Sequence, residues 1–276
     1  MVKIKLTSTF EKAKDYIRAV EENNEDIQQA WEKYMIEPFW ADITHGVNRD
    51  VSFMKPEPVQ DINALKEQIK IFSQLSIDKL HSEFNKITAM LPKGHDEPVF
   101  VALYPACDSD KILRDRENGV RGCCPDGNVI IRINSLVQNY YDWILYVFAH
   151  EYHHGVWGYN AWINDMNLNG AFYEPMIIEG QADFFAESLF PKLIPQWNRP
   201  FDSETEAALW ERLKTNPAIH EVCMFGDEGK GLPWYMGYVF GRSIVSDYMQ
   251  KHPNMSFLDL LSTRPENILS GSRFKF

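Results

Sequence analysis

Two imidazoles four residues apart, with a carboxylate directly after the first, stand in the run Trp143-Ile-Leu-Tyr-Val-Phe-Ala-His150-Glu151-Tyr-His-His154-Gly155. On a helix each residue turns about 100°, so positions i and i+4 lie within about 40° of each other, one turn apart. His150 and His154 then point the same way and can share one metal ion. Glu151 sits about 60° round from His154, within reach of a water on that ion. Two imidazoles do not complete a catalytic zinc site, which takes three protein ligands and leaves one position for water. The third ligand must come from elsewhere in the chain.

A third histidine in the extended His-Glu-x-x-His-x-x-Gly-x-x-His run is absent, because Gly-Val-Trp-Gly-Tyr-Asn follows His154. The other source is a glutamate on a later helix. Glu179 lies 25 residues on, in an apolar segment with the small neighbours Gly180, Ala182 and Ala186. Small residues let two helices approach closely, as a shared ion requires. Asp183 is four residues further on the same face. A carboxylate there can accept the spare N–H of a ligating histidine and fix its tautomer. Glu187, one turn beyond, is expected in solvent at the helix end. His153 competes with His154 as the second imidazole. Choosing it discards the glutamate offset of the motif, so it is read as a hydrogen-bonded residue on the helix flank. His45, His81, His95, His220 and His252 read as surface or satisfied residues.

The elements that must hold these groups follow from pattern. Residues 1–6 suggest a short strand. Ser8 and Glu11 fit a capping box opening a helix with Phe10, Ala13, Ile17 and Val20 on one face. A second helix runs from about Glu25, and two more cover about 60–72 and 76–91. Val99–Tyr104 and Asn128–Asn134 are the best strand signals, separated by a polar loop and the turn-rich Gly122-Cys-Cys-Pro-Asp-Gly127. The motif helix is expected over 138–157, ending at Gly155 and Gly158, with a loop to Gly170. Further helices are expected from Pro175 to Pro191, from Ser203 to Lys214 and over Pro233–Tyr248, with two short pieces at the C-terminus. Residues 1–95 read as a helical region packed on a core of residues 96–276.

Composition narrows the partners. With 45% apolar residues among 276, the chain can bury a sizeable core. A formal charge of −11 argues against nucleic acid or anionic membrane as the main partner. No stretch approaches the roughly 18 apolar residues of a membrane span, and the charged N-terminus lacks a signal-peptide pattern. A cytoplasmic location is expected. Cys107, Cys123, Cys124 and Cys223 show no finger or Cys-x-x-Cys spacing and read as reduced thiols.

At His150, Glu151 and His154, with Glu179 and Asp183 as the second motif, the sequence resembles the gluzincin peptidases of the thermolysin-type clan. More closely, it is similar to a bacterial family of predicted zinc-dependent proteases. That likeness also covers Trp31…Pro38-Phe-Trp40, the His-Glu-Tyr-His-His form of the motif, Glu179-Gly180 with Ala182, Gly237-Tyr238-x-x-Gly241, and Pro265-Glu-Asn-Ile-Leu…Ser272-x-Phe274. The resemblance implies an α+β, mostly helical fold with a zincin-like core and a small β-sheet over the motif helix. It implies zinc on His150, His154 and Glu179, with Glu151 as general base. Tyr238 and Tyr235 are the candidates for oxyanion stabilisation, with His220 in reserve and core packing as their other reading. The strand at 128–134 resembles the sheet edge along which zincins lay a substrate. The expected activity is peptide-bond hydrolysis on a peptide or protein substrate. Endopeptidase is preferred, because no acidic groups for a free amine are evident. A non-catalytic module on the same fold and a zinc hydrolase of a non-peptide amide are the alternatives. The intact Glu151 argues against the first of these.

Overall fold

The computed structural model describes residues 2–275, the side chain of Asn198 apart. The chain is α+β and mostly helical, with a four-stranded mixed sheet, as expected. It divides into two compact units, Met1–Gly158 and Tyr159–Phe276. The sheet and the helices of residues 1–95 all fall in the first.

In the first unit, β1 (Ile4–Ser8) leads into α1 (Ala13–Glu21). Next, α2 (Ile27–Trp31) runs through a π-helical turn at Glu32–Ile36 into α3 (Glu37–Ile43). Then come α4 (Ile62–Phe72), α5 (Ile77–Met90), β2 (Val99–Pro105), α6 (Lys111–Asp115), β3 (Val120–Cys123), β4 (Val129–Ile133) and α7 (Tyr140–Ile163). The strand order is β1-β2-β4-β3, with β1, β2 and β4 parallel and β3 antiparallel to β4. Every residue of β2 is buried, as for a strand covered on both faces. Ala102 and Tyr104 of β2 and Ile130 of β4 pack against Tyr16, Trp31, Met35 and Leu65 of the N-terminal helices. The strand period of two turns Val101 and Leu103 to the opposite face. There α5 and α7 meet through Phe84 stacked on Phe148 at 3.8 Å, and the Tyr152 hydroxyl donates to the Leu91 carbonyl at 2.8 Å. Asn128 ties the layers together. Its amide donates to the Ile43 carbonyl at 2.8 Å and its carbonyl accepts from the Phe100 N–H at 3.1 Å.

Four local expectations need correction. Ser8 is not a helix cap, because β1 extends through it to pair with Leu103, and α1 starts at Ala13 without a side-chain cap. Residues 120–123 form β3 rather than loop. The strand at 129–133 is therefore interior, between β2 and β3, and β3 is the edge beside it. The motif helix does not stop at Gly155 or Gly158 but runs on to Ile163. Gly155 serves close approach instead, since a Cβ there would lie 2.8 Å from the Gly127 Cα.

The second unit is helical: α8 (Tyr173–Leu189), α9 (Ser203–Thr215), α10 (Met236–Lys251), α11 (Phe257–Leu261) and α12 (Pro265–Gly271). Its core gathers Met176 and Ile177 of α8, Trp210 and Leu213 of α9, Phe240 and Ile244 of α10, Ile268 and Phe274. Among the described residues, no helix is long and apolar enough to cross a membrane.

Candidate metal centre

α7 is apolar on nearly every side, as a buried helix must be, so its histidines are set in a dry wall. His150 is 9% exposed, and Glu151 and His154 are half-buried. The Nε2 atoms of His150 and His154 lie 3.1 Å apart. Two nitrogens on one tetrahedral zinc, at ordinary Zn–N lengths, stand roughly 3.3 Å apart. The pair thus has the spacing of two ligands converging on one ion.

Glu151 faces the sheet edge. A Cβ on Gly122 of β3 would lie 2.6 Å from the Glu151 Oε1 and 2.7 Å from the Val147 Cγ1. The stripe Val147–Glu151–Gly155 on α7 therefore runs along β3 and its following turn, and glycines at 122 and 127 make the room. Cys123 lies next to Glu151. Burial pushes its thiol up to about 12, and the neighbouring carboxylate adds to the effect. Cys124 moves in the same direction for the same reasons. Both thiols stay protonated at neutral pH, and all four cysteines are free.

Glu179 is placed by a different contact. The Glu174 carboxylate accepts from the N–H groups of Asn169, Gly170 and Ala171 at 2.9–3.0 Å, which fixes the first turn of α8. Gly180 then lets α8 press against α10, where its Cβ would overlap the Gly241 carbonyl and lie 2.8 Å from the Arg242 nitrogen. Glu179 is half-buried beside this crossing, and Asp183 is fully buried one turn on. Among the described residues, one ligand atom each of His150, His154 and Glu179 lies within 4.8 Å of the others, a set that could hold a metal ion. Two imidazoles and a carboxylate suit zinc. His153 is outside the set, buried at 1% exposure.

Tyr235 and Tyr238 come together, their rings 4.7 Å apart. His220 is engaged elsewhere, with Nε2 2.7 Å from the Leu213 carbonyl and its ring stacked on Phe172 at 4.3 Å. Glu187 is not left to solvent. It accepts from Arg242 Nε at 2.6 Å, because α10 presents the guanidinium to the end of α8. Sequence reasoning missed Gly122 and Cys123 as neighbours of Glu151. Their only signal was a turn-rich run, which hid the short strand before it.

No curated protein and no solved structure is detectably similar to the chain. The profile of one family, described as "Predicted Zn-dependent protease (DUF2268)", matches residues 77–270, a span that includes β2, β3 and β4 of the sheet, both motif segments and α10. With most of its length matched and a donor set suited to zinc, the chain belongs to this family of predicted Zn-dependent proteases.

Proposed function

We propose that the protein is a zinc metallopeptidase that cuts peptide bonds internally. The observation that carries this is the convergence of His150, His154 and Glu179 with Glu151 on the same helix. Zinc held by these three side chains would activate water and polarise a carbonyl. Glu151 would take the proton of the attacking water and pass it to the leaving amine. Its carboxylate is kept at the sheet edge by packing against Gly122. Asp183 would orient a ligating imidazole. Tyr238 or Tyr235 would donate to the developing oxyanion. A peptide paired along the β3 edge would be read through backbone groups, so many sequences could bind. The four free thiols accord with the cytoplasm as the site of action.

Glu151→Gln tests the reading. The variant should retain zinc and lose roughly 100- to 10,000-fold in turnover on a quenched-fluorescence peptide library. Undiminished hydrolysis would remove Glu151 as the base. Absence of zinc-dependent hydrolysis in the parent protein would remove the activity itself.

A further inference from the structure

The second unit contains a backbone outlier next to the α8–α10 crossing. Tyr235, at the N-cap of α10, has φ 56° and ψ 30°, the left-handed region. A bulky aromatic residue is seldom found there, and such strain persists only where the surroundings over-determine it. They do so here. The Tyr235 N–H donates to the Phe225 carbonyl at 2.8 Å, and the Gly237 N–H to the Met224 carbonyl at 3.2 Å. Asp227 and Leu232 exchange both backbone hydrogen bonds, at 3.0 and 2.9 Å. The loop is thereby closed on itself and pinned to the first turn of α10.

The strained backbone sets out a group of rings. Tyr235 lies 4.0 Å from Trp234, 4.7 Å from Tyr238, 5.6 Å from Phe225 and 6.0 Å from Trp197, between ring centroids. In a core such a group would be dry. Here Phe225 is 59% exposed, and Trp234, Tyr235 and Tyr238 are half-buried. The rings form a rigid platform with a face in water. Tyr238 precedes Gly241 by three residues, so the platform starts within about one helical turn of the crossing that carries Glu179.

We infer that this platform is a specificity subsite for an aromatic side chain of the substrate, close to the scissile bond. The inference rests on the peptidase reading and adds the class of peptide it prefers. Rings gain most from offset or edge-to-face neighbours, and Phe225 and Tyr238 are placed to supply them. A platform held by backbone strain is ordered before the ligand arrives, so little entropy is lost on binding.

The test uses the full chain carrying Glu151→Gln and loaded with zinc, which binds without cutting. It is titrated with peptides that differ only by Phe, Ala or Lys at successive positions, and tryptophan fluorescence reports binding. At one position Phe should bind roughly three- to ten-fold tighter than Ala. Adding Phe225→Ala, a solvent-facing change, should abolish that preference and leave the affinity for the Ala peptide unchanged. No binding, equal binding of Phe and Ala, a preference for Lys, or a Phe preference that survives Phe225→Ala would each overturn the subsite. Cleavage by the parent protein is measured separately. A Phe preference without cleavage keeps the subsite and refutes the peptidase reading. Cleavage without the preference refutes the subsite alone.

Discussion

The two parts of the donor set are held by different kinds of contact. His150, Glu151 and His154 ride on α7, which lies against a sheet edge. Glu179 rides on α8, which lies against another helix. In each case a glycine adjoins the ligand: Gly155 after His154, and Gly180 after Glu179. What would have to give way differs. A Cβ on Gly122 would meet the Glu151 side chain, whose carboxylate end can rotate aside, and a methyl of the stiffer, β-branched Val147. A Cβ on Gly180 or Gly241 would overlap main chain, which cannot. The sheet side is therefore adjustable at Gly122, where it is coupled to chemistry, though not at Gly155, whose Cβ would meet the Gly127 main chain, whereas the helix side is unforgiving and coupled to stability.

Substitutions on the two sides should separate these properties. Gly241→Ala should have the largest effect on folding, about 3 kcal/mol or more, because overpacking against the Met176 carbonyl forces α8 and α10 apart. A urea midpoint close to that of the parent would mean that the helix pair slides freely. Gly122→Ala should cost about 1 kcal/mol or less in stability. It should still lower turnover on the order of 100-fold by moving Glu151, since small misplacements of catalytic groups are costly. Normal turnover in this variant would show that β3 does not position the carboxylate.

The smallest effect concerns the thiol beside Glu151. A value raised to about 12 leaves Cys123 almost wholly protonated at pH 8, so iodoacetamide should modify it far more slowly in the folded chain than in urea. The sign for stability follows. Between the ordinary thiol value of 9.0 and about 12, the unfolded chain loses a proton that the folded one keeps, so this group makes stability fall as pH rises through that window. Equal labelling of folded and unfolded chains would show that the sheet edge is open at Cys123.

The same contrast explains what was legible in the sequence. Ligand spacing on α7 and the Glu179–Asp183 pair on α8 follow from helical periodicity, a local property. The strands Val99–Pro105 and Val129–Ile133 are β-branched runs with clear bounds. Val120-Arg-Gly-Cys123 carries one β-branched residue, and its extended form comes from pairing with β4, a partner no local pattern reveals. The glycine at 155 looked like a helix end because its reason, contact with Gly127, is tertiary. Ser8 looked like a cap for a similar reason, since its backbone pairs with a strand about 95 residues away. Glu187 belonged to no local motif, and only the approach of α10 gives it Arg242.

The central claim is that α7 and α8 together hold one metal ion. Elemental analysis of the purified chain, after equilibration with zinc and desalting, tests it most directly. The account predicts about one zinc per chain in the parent protein and in Glu151→Gln, with less than about a tenth of that in Glu179→Ala and His150→Ala, all four remaining folded by circular dichroism. Full zinc occupancy in folded Glu179→Ala would contradict it, and would return the search for the third ligand to His153.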